Sequence, residues 1–336
     1  MDKELLRTIV QQYGFRGEQI SEPIDSSHGE ADRRLVYIVD DTAVLHCYSA
    51  AVMDEAFLQG ISRLVQRHKE IAVWAPSLFP RKDTGELLTL CREGGTLWRC
   101  YMEEKAPYAF LDKKKIDLYD SKAEMLPFLG TLASRYSNID LVENRSMWSI
   151  IELAPMDAME TGIDEKQENV DSLCAALGEK PIVQRIRRLN ERARSRIGEH
   201  LAELPRCVYQ GDLNPSNVLV DEEQHFRGVI DFNLYGTDVN INCFLNESMY
   251  YVKDEDVETL NPAELLNKMR QVQKRLMDRI LQQYSLNPLE QSLLEEYRFA
   301  IELGFYPNVS LLKKLLSDGK TDYVLEFLTR LCDQYE

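Results

Sequence analysis

The segment from residue 208 to residue 232 constrains this chain of 336 residues more than any other part. It begins with a polar loop, residues 210–217, in which a glycine and a proline disfavour regular helix or strand. Two short β-rich runs follow at residues 218–220 and 228–232. The other patterns of this half of the chain are mostly helical, and the clearest helices are predicted at residues 126–136, 182–204, 262–284 and 289–301. Such a β-rich island in a helical domain predicts that the loop carries the chemistry.

Three side chains of this segment carry hard oxygen atoms. Asp212 and Asn217 lie five residues apart in the loop, and Asp231 follows eleven residues after Val220. Because a tight hairpin returns the chain, we expect Asp231 to lie beside Asn217. Carboxylate and amide oxygens are ligands that Mg²⁺ prefers, with phosphate and water completing its octahedron. The pattern predicts phosphoryl transfer in which Asp212 accepts the proton of a hydroxyl nucleophile; the alternative is a polar turn followed by a solvated hairpin.

This pattern resembles the H-G-D-x-x-x-x-N loop and the later I-D-F segment of the aminoglycoside phosphotransferase and choline kinase superfamily. The matching residues are 210–217 and 230–232. The resemblance implies an α+β fold of the protein-kinase-like, bilobal type. It also implies a small β-rich N-lobe that binds nucleotide, over residues 1–105, and a larger helical C-lobe with the catalytic loop and substrate pocket, over residues 106–336.

The same resemblance implies ATP-dependent phosphorylation of a hydroxyl group on a small molecule, with ATP and Mg²⁺ as cofactors. In that case Asp212 is the catalytic residue, and Asn217 and Asp231 bind the metal. The acceptor stays open among a sugar, an amino sugar, an aminoglycoside and an amino alcohol. Residues 94–101 also resemble the Trp-Arg strand before the hinge of N-acetylhexosamine kinases, which favours a sugar, although Trp98 can instead pack in the core.

The first 105 residues have the element order of such an N-lobe. β-rich runs at residues 35–39 and 43–48, separated by the turn residues 40–42, predict one hairpin. Runs at residues 87–91 and 96–102, which flank Gly94-Gly95, predict a second. Apolar residues at helical spacing between the hairpins predict a helix near residues 57–65. The predicted order is therefore strand, strand, helix, strand, strand.

Two N-lobe residues stand where the family binds phosphate. His46 occupies the strand position of the family's phosphate-binding lysine, and Glu55 is the candidate for the helix carboxylate that pairs with it. An imidazole facing two phosphates can be driven to its charged form. The alternatives are a satisfied histidine on a half-buried strand and a glutamate that complements the helix dipole.

Two further stretches of the N-lobe are candidates for nucleotide contacts. The loop at residues 26–29, with Ser27, is the candidate phosphate-covering loop, and its alternative is an ordinary polar loop. The resemblance to N-acetylhexosamine kinases implies a hinge at Glu103–Ala106, which includes Glu104 and Lys105 and whose backbone groups are expected to contact adenine.

The sequence departs from the family pattern in three places. Gln210 replaces the loop histidine, His46 replaces the lysine, and the acidic residue expected after the I-D-F segment is missing, with Asn240 or Asn242 near its place. The replacements at Gln210 and His46 support one alternative function, a catalytically impaired pseudokinase that binds nucleotide or a partner. Protein kinase activity is disfavoured because no A-P-E-like activation segment follows Asp231.

Composition narrows the class of partner. With 40 basic and 56 acidic residues the net charge is −16, which disfavours binding to nucleic acid or to an anionic membrane. No stretch approaches the roughly 20 apolar residues of a membrane span, and no signal-peptide pattern opens the sequence. Seven scattered cysteines without a C-x-x-C pair argue against a disulfide framework and a zinc site. We expect a cytoplasmic protein whose partner is a small molecule, with no prediction of oligomeric state.

Overall fold

The secondary structure of the chain comes from a computed structural model, which describes residues 1–27, 29, 32–154 and 161–336. The strands are β1 Ile24–Asp25, β2 Arg34–Val39, β3 Ala43–Tyr48, β4 Leu78–Phe79, β5 Thr89–Glu93, β6 Thr96–Glu104, β7 Ala109–Phe110, β8 Arg206–Tyr209, β9 Val218–Val220, β10 Phe226–Val229 and β11 Gly236–Val239. The helices are α1 Lys3–Gln12, α2 Glu55–Glu70, α3 Leu118–Met125, α4 Pro127–Tyr136, α5 Glu165–Leu177, α6 Pro181–His200, α7 Asn240–Glu247, α8 Asp254–Thr259, α9 Pro262–Leu281, α10 Pro288–Gly304, α11 Tyr306–Ser317 and α12 Thr321–Asp333. The predicted α+β class is confirmed.

The chain divides into two units. Unit 1 comprises Met1–Leu111 and Asn214–Ile230, and unit 2 comprises Asp112–Leu213 and Asp231–Glu336. The sequence prediction instead placed everything after residue 105 in a C-lobe. The difference has a simple cause, because β7 and the hairpin of β9 and β10 form one antiparallel sheet, in the order β10-β9-β7, within unit 1.

The larger sheet of unit 1 is antiparallel and has the order β1-β2-β3-β6-β4, with β5 also paired to β6. Val39 pairs with Ala43, so the β2–β3 hairpin turns through the three residues 40–42, of which Asp40 and Asp41 have the left-handed φ values 47° and 55°. The order strand, strand, helix, strand, strand is found as predicted. Helix α1 and the short strands β1 and β4 were not predicted.

Helix α1 covers one face of this sheet. Side chains alternate between the two faces of a strand, so Ala43, Leu45 and Cys47 of β3 point into one buried cluster with Leu6 and Ile9 of α1. Residue 46 necessarily belongs to the opposite face of the strand. The register of unit 1 therefore decides which residues can meet His46.

Unit 2 is helical apart from one small sheet. Helix α9 shows why its prediction succeeded, since Asn261 and Glu264 form a reciprocal capping box and Pro262 occupies the first helical position. Helices α3, α5, α7 and α8 were not predicted. Strands β8 and β11 pair antiparallel to form the small sheet of unit 2. In the described part of the chain, no helix has the length and apolar character to cross a membrane.

Candidate active site

The small sheet of unit 2 brings two predicted site segments to one end. Tyr209, the last residue of β8, pairs with Gly236, the first residue of β11. The loop that leaves β8, residues 210–213, and the segment that enters β11, residues 231–235, therefore start from the same sheet end. The register places the loop of Asp212 against the segment of Asp231.

Gln210 connects these two segments through its side chain, which is 2% exposed. Its Nε2 donates to the backbone carbonyl oxygen of Asp231 at 2.5 Å, and its Oε1 accepts from the backbone N–H of Asp212 at 2.7 Å. A carboxamide can do both because it carries a donor and an acceptor. The structure thus gives a physical reason why glutamine can stand where the family has histidine.

Gly211 is held closely on two sides. Its φ is +88°, and a Cβ at this position would lie 2.1 Å from the carbonyl oxygen of Leu234. Its own carbonyl oxygen accepts a hydrogen bond from the indole Nε1 of Trp148 at 2.6 Å. Glycine is required because both the left-handed backbone and the close approach exclude a side chain. Trp148 was not predicted as part of the site.

The carboxylate of Asp231 fits a hard cation. Asp231 is exposed and adopts φ +59°, a conformation uncommon for a residue with a side chain. Its Oδ1 accepts from the backbone N–H of Asn233 at 3.3 Å, and within the described residues its Oδ2 accepts no hydrogen bond. An exposed carboxylate oxygen that is not engaged by the protein's own donors is a suitable ligand for Mg²⁺. Asp212 is half-buried.

Asp238, in the segment after Asp231, is a buried acidic residue with 2% of its surface exposed. Both of its carboxylate oxygens accept from Asn242 Nδ2, at 2.9 and 3.0 Å, and Oδ1 also accepts from the backbone N–H of Val239. Burial raises the pKa of Asp238 to about 7. The same Asn242 Nδ2 donates to the backbone oxygen of Trp148 at 2.8 Å.

Asn217 lies in unit 1, at the end of the 3₁₀ turn Pro215–Asn217, and is 7% exposed. Its backbone oxygen accepts from the N–H of Ile230 at 3.0 Å. Asp231 follows Ile230 directly in the sequence but belongs to unit 2. The pairing of Asn217 and Asp231 as metal ligands stays a prediction.

His46 is paired with Glu103, another residue of the predicted nucleotide site. Nε2 of His46 lies 2.9 Å from Oε1 of Glu103, and each side chain is 13% exposed. The β3–β6 register sets Val44 opposite Glu103 and His46 opposite Tyr101, so Glu103 is the diagonal neighbour of His46. The imidazole also stacks on the Tyr101 ring, with centroids 4.7 Å apart and an interplanar angle of 7°.

The predicted partnership of Glu55 with His46 is wrong. Oε2 of Glu55 accepts from the backbone N–H groups of Leu87 and Leu88, at 3.0 and 2.9 Å. These residues precede β5 and belong to the connection from β4, so the carboxylate of Glu55 holds that connection at the start of α2. A contact between residues more than 30 positions apart depends on the course of this loop, which no local pattern predicts.

Ser27 lies in the connection from β1 to β2, and His28 of the same predicted loop lies outside the described residues. The hydroxyl of Ser27 accepts from the backbone N–H of Arg34 at 2.9 Å, and its own N–H donates to Asp25 Oδ1 at 3.0 Å. These bonds close the loop locally. A phosphate contact by Ser27 stays a prediction.

The predicted hinge begins inside β6. Burial of Glu104 is outweighed by hydrogen bonds from Lys69 Nζ and the Ser77 N–H, both at 2.9 Å, which hold its pKa below the usual value. The backbone N–H of Glu104 donates to Ser77 O, and that of Lys105 donates to Thr42 O. Since these two donors are used within unit 1, adenine contacts through other backbone groups of the hinge stay a prediction.

Tyr251 is a further residue that the sequence did not single out. Lys122 Nζ lies 5.4 Å from the centroid of the Tyr251 ring. The backbone N–H of Tyr251 donates to the Tyr119 hydroxyl at 2.9 Å. Burial raises the pKa of Tyr251, and the carboxylates of Glu247 and Asp212 add to the effect. The phenol is therefore in the electrostatic field of Asp212.

Part of the chain matches a known protein family, and the whole chain is similar to solved structures. Residues 152–239, which include the loop of Asp212 and the segment of Asp231, match the sequence model of the phosphotransferase enzyme family. Among solved structures, the microcompartment-associated aminopropanol kinase is similar over 98% of this chain and 95% of its own, with 12% identity and a TM-score of 0.56. The chain has the fold of this phosphotransferase superfamily.

A second solved structure supports the same protein-kinase-like fold. An amicoumacin kinase, in complex with AMP-PNP, Ca²⁺ and its ligand, is similar over 99% of this chain and 93% of its own, with 13% identity and a TM-score of 0.52. No curated protein sequence is similar enough to count as a match. The superfamily resemblance inferred from the loop is thus confirmed.

Proposed function

We propose that this chain is a small-molecule kinase that transfers the γ-phosphoryl group of ATP, with Mg²⁺, to a hydroxyl group of its acceptor. The observation that carries the proposal is the Gln210 carboxamide, which binds the backbone of both Asp212 and Asp231. The match of residues 152–239 to the phosphotransferase enzyme family supports it. Gln210 sets the spacing between a candidate base and a candidate metal ligand. Phosphoryl transfer depends on such fixed spacing, because its catalysis comes mainly from holding the reacting groups in place.

The proposed roles follow from the chemistry of the side chains. Asp212 orients the acceptor hydroxyl and accepts its proton, because an ionised carboxylate only accepts hydrogen bonds. Asn217 and Asp231 are the proposed ligands of Mg²⁺, which neutralises phosphate charge when bound. His46 and Ser27 are proposed to contact phosphate, and the hinge backbone to contact adenine. Glu55 has no proposed role in binding.

The acceptor class remains a sugar, amino sugar, aminoglycoside or amino alcohol, and the name of one structural neighbour, the aminopropanol kinase, favours an amine-bearing member. One neighbour is an aminopropanol kinase and the other an amicoumacin kinase bound to AMP-PNP and Ca²⁺. The test is a panel of these acceptors with Mg-ATP, monitored by ADP release and by phosphorus NMR of the product. Acceptor-dependent ADP release with a new phosphate ester is expected, and its absence across the panel would contradict the proposal.

Asp231→Ala is expected to weaken nucleotide binding about tenfold or more in the presence of Mg²⁺ and to leave the metal-free affinity unchanged. The reason is that the exposed carboxylate is lost while the backbone bond to Gln210 remains. Calorimetric titration with AMP-PNP, with and without Mg²⁺, measures the difference. Asp278→Ala is the control, because this exposed residue of α9 forms its ion pair with Lys274, away from the proposed site. Equal affinities of Asp231→Ala and the control would remove Asp231 from the metal site.

A catalytically impaired pseudokinase is the second candidate function, because His46 forms its pair with Glu103 at the position of the family's lysine. His46→Lys is expected to keep or raise nucleotide affinity, since a lysine carries a permanent charge and can pair with the same glutamate. His46→Gln, which is polar and uncharged, is the matched control and is expected to bind less tightly. A large loss of affinity in His46→Lys would mean that His46 does not meet phosphate. Nucleotide binding without turnover on any acceptor would favour the pseudokinase.

A further inference from the structure

Trp148 donates a hydrogen bond to the proposed catalytic loop. It lies between α4 and α5 and is half-buried. Its Nε1 donates to the carbonyl oxygen of Gly211 at 2.6 Å. This carbonyl belongs to the peptide unit that joins Gly211 to Asp212. A hydrogen bond to that carbonyl restrains the peptide plane between Gly211 and Asp212, because the peptide bond is planar. The orientation of the Asp212 backbone is therefore tied to the indole.

The indole is itself held by buried groups. The backbone oxygen of Trp148 accepts a hydrogen bond from the side-chain amide of Asn242, which also donates to both carboxylate oxygens of Asp238. Lys166 Nζ lies 4.9 Å from the ring centroid, and the Lys166 side chain is 2% exposed. A cation over the face of an indole is attracted to its π electrons, and a desolvated cation more strongly. Trp148 is thus anchored at its backbone and at its ring.

On the opposite side, Gly211 meets Leu234 at the distance that only a glycine allows. The loop carbonyl is consequently fixed between the segment of Asp231 and the Trp148 indole. Gln210 holds the N–H of Asp212, and Trp148 holds the carbonyl on the other side of the same peptide unit. Both polar groups of this peptide have a partner, so little rotation of the peptide is left.

We infer that Trp148 is a positioning residue, which orients Asp212 for proton acceptance by binding the Gly211 carbonyl. This inference rests on the proposed function. Trp148 does not touch the reacting atoms, and its loss affects the rate through the geometry of Asp212. The effect should therefore fall on kcat, while the KM for the nucleotide stays nearly constant.

The test compares Trp148→Phe with Trp98→Phe. Phenylalanine keeps an aromatic ring but lacks the N–H donor. Trp98 is 2% exposed and has Arg33 over its ring at 5.1 Å, yet its Nε1 has no hydrogen-bond partner among the described residues. The two substitutions remove the same atoms from rings that both carry a cation. Only Trp148→Phe breaks a hydrogen bond.

Trp148→Phe is expected to lower kcat at least about tenfold and to change the KM for ATP less than about twofold, whereas Trp98→Phe keeps kcat within about twofold. Amide exchange of the peptide covering residues 210–213 should become faster in Trp148→Phe only. In an Asp212→Asn background, Trp148→Phe should cause no further loss, because residues that act as a unit are not additive.

Three results would overturn the inference. The first is a kcat of Trp148→Phe equal to that of an active wild-type protein. The second is an equal loss of rate with and without Asp212, because Trp148 would then act independently of it. The third is unchanged amide exchange at residues 210–213. A wild-type chain that phosphorylates no acceptor would overturn the proposed function and this inference together, so the two failures are distinguishable.

Discussion

Asp212→Asn is expected to lower kcat about 10²–10⁴-fold, the range usual for loss of a general base, while the affinity for Mg-nucleotide stays within about twofold. Asparagine has the size of aspartate, and the backbone N–H of residue 212 can still donate to Gln210. What disappears is the ability to accept a proton from the acceptor hydroxyl. ADP release measures kcat, and titration with AMP-PNP measures binding.

Asp278→Asn serves as the control for this substitution. It removes a carboxylate from the exposed face of α9, where the side chain accepts a hydrogen bond from Lys274. We expect its kcat to match the wild type. Near-normal turnover of Asp212→Asn would mean that another group accepts the proton, and a parallel loss of nucleotide affinity would mean that Asp212 acts in binding.

Gly211→Ala is expected to cost about 3 kcal/mol of unfolding free energy and most of the transfer activity. A side chain at φ +88° costs about 1–2 kcal/mol, and the added Cβ, 2.1 Å from the Leu234 oxygen, forces a displacement that costs about as much again. The displacement moves the peptide that Trp148 and Gln210 hold. Urea denaturation and the kcat of the folded fraction measure the two effects.

Gly85→Ala separates the two causes. Gly85 has φ +78° and open space where a Cβ would lie, so its substitution carries only the cost of the left-handed backbone, about 1 kcal/mol. The difference between the two variants reports the steric contact with Leu234. Equal losses of stability in the two variants would show that the loop accommodates the added Cβ at no energetic cost. Normal turnover in Gly211→Ala would contradict the close fit of Gly211 against Leu234.

Local patterns predicted those parts of the structure that depend on neighbouring residues in the sequence. Strand β3 was predicted over its full length, because the β-rich run at residues 43–48 directly follows the polar turn residues 40–42. Helix α9 begins at the predicted Pro262, since capping residues and proline identify a helix start. The polar loop was recognised because Asp212 and Asn217 have the spacing of a known motif.

Contacts that depend on register and on loop paths could not be predicted. Glu103 meets His46 only because β3 and β6 pair in one particular register, and a shift by one residue would move it to the other face. Glu55 binds the connection before β5 instead. Trp148 lies in a segment without periodicity, more than 60 positions from Gly211, so its sequence context contains no signal for the hydrogen bond.

The division of unit 1 into two stretches of chain has a consequence for biosynthesis. Strand β7 can pair only after β9 has been synthesised, about a hundred residues later. Residues 112–213 are therefore translated while unit 1 is still incomplete. An amino-terminal fragment ending at Leu111 would expose an unpaired strand edge and would be prone to aggregate. Unit 1 should be produced with residues 214–230 rejoined by a designed linker.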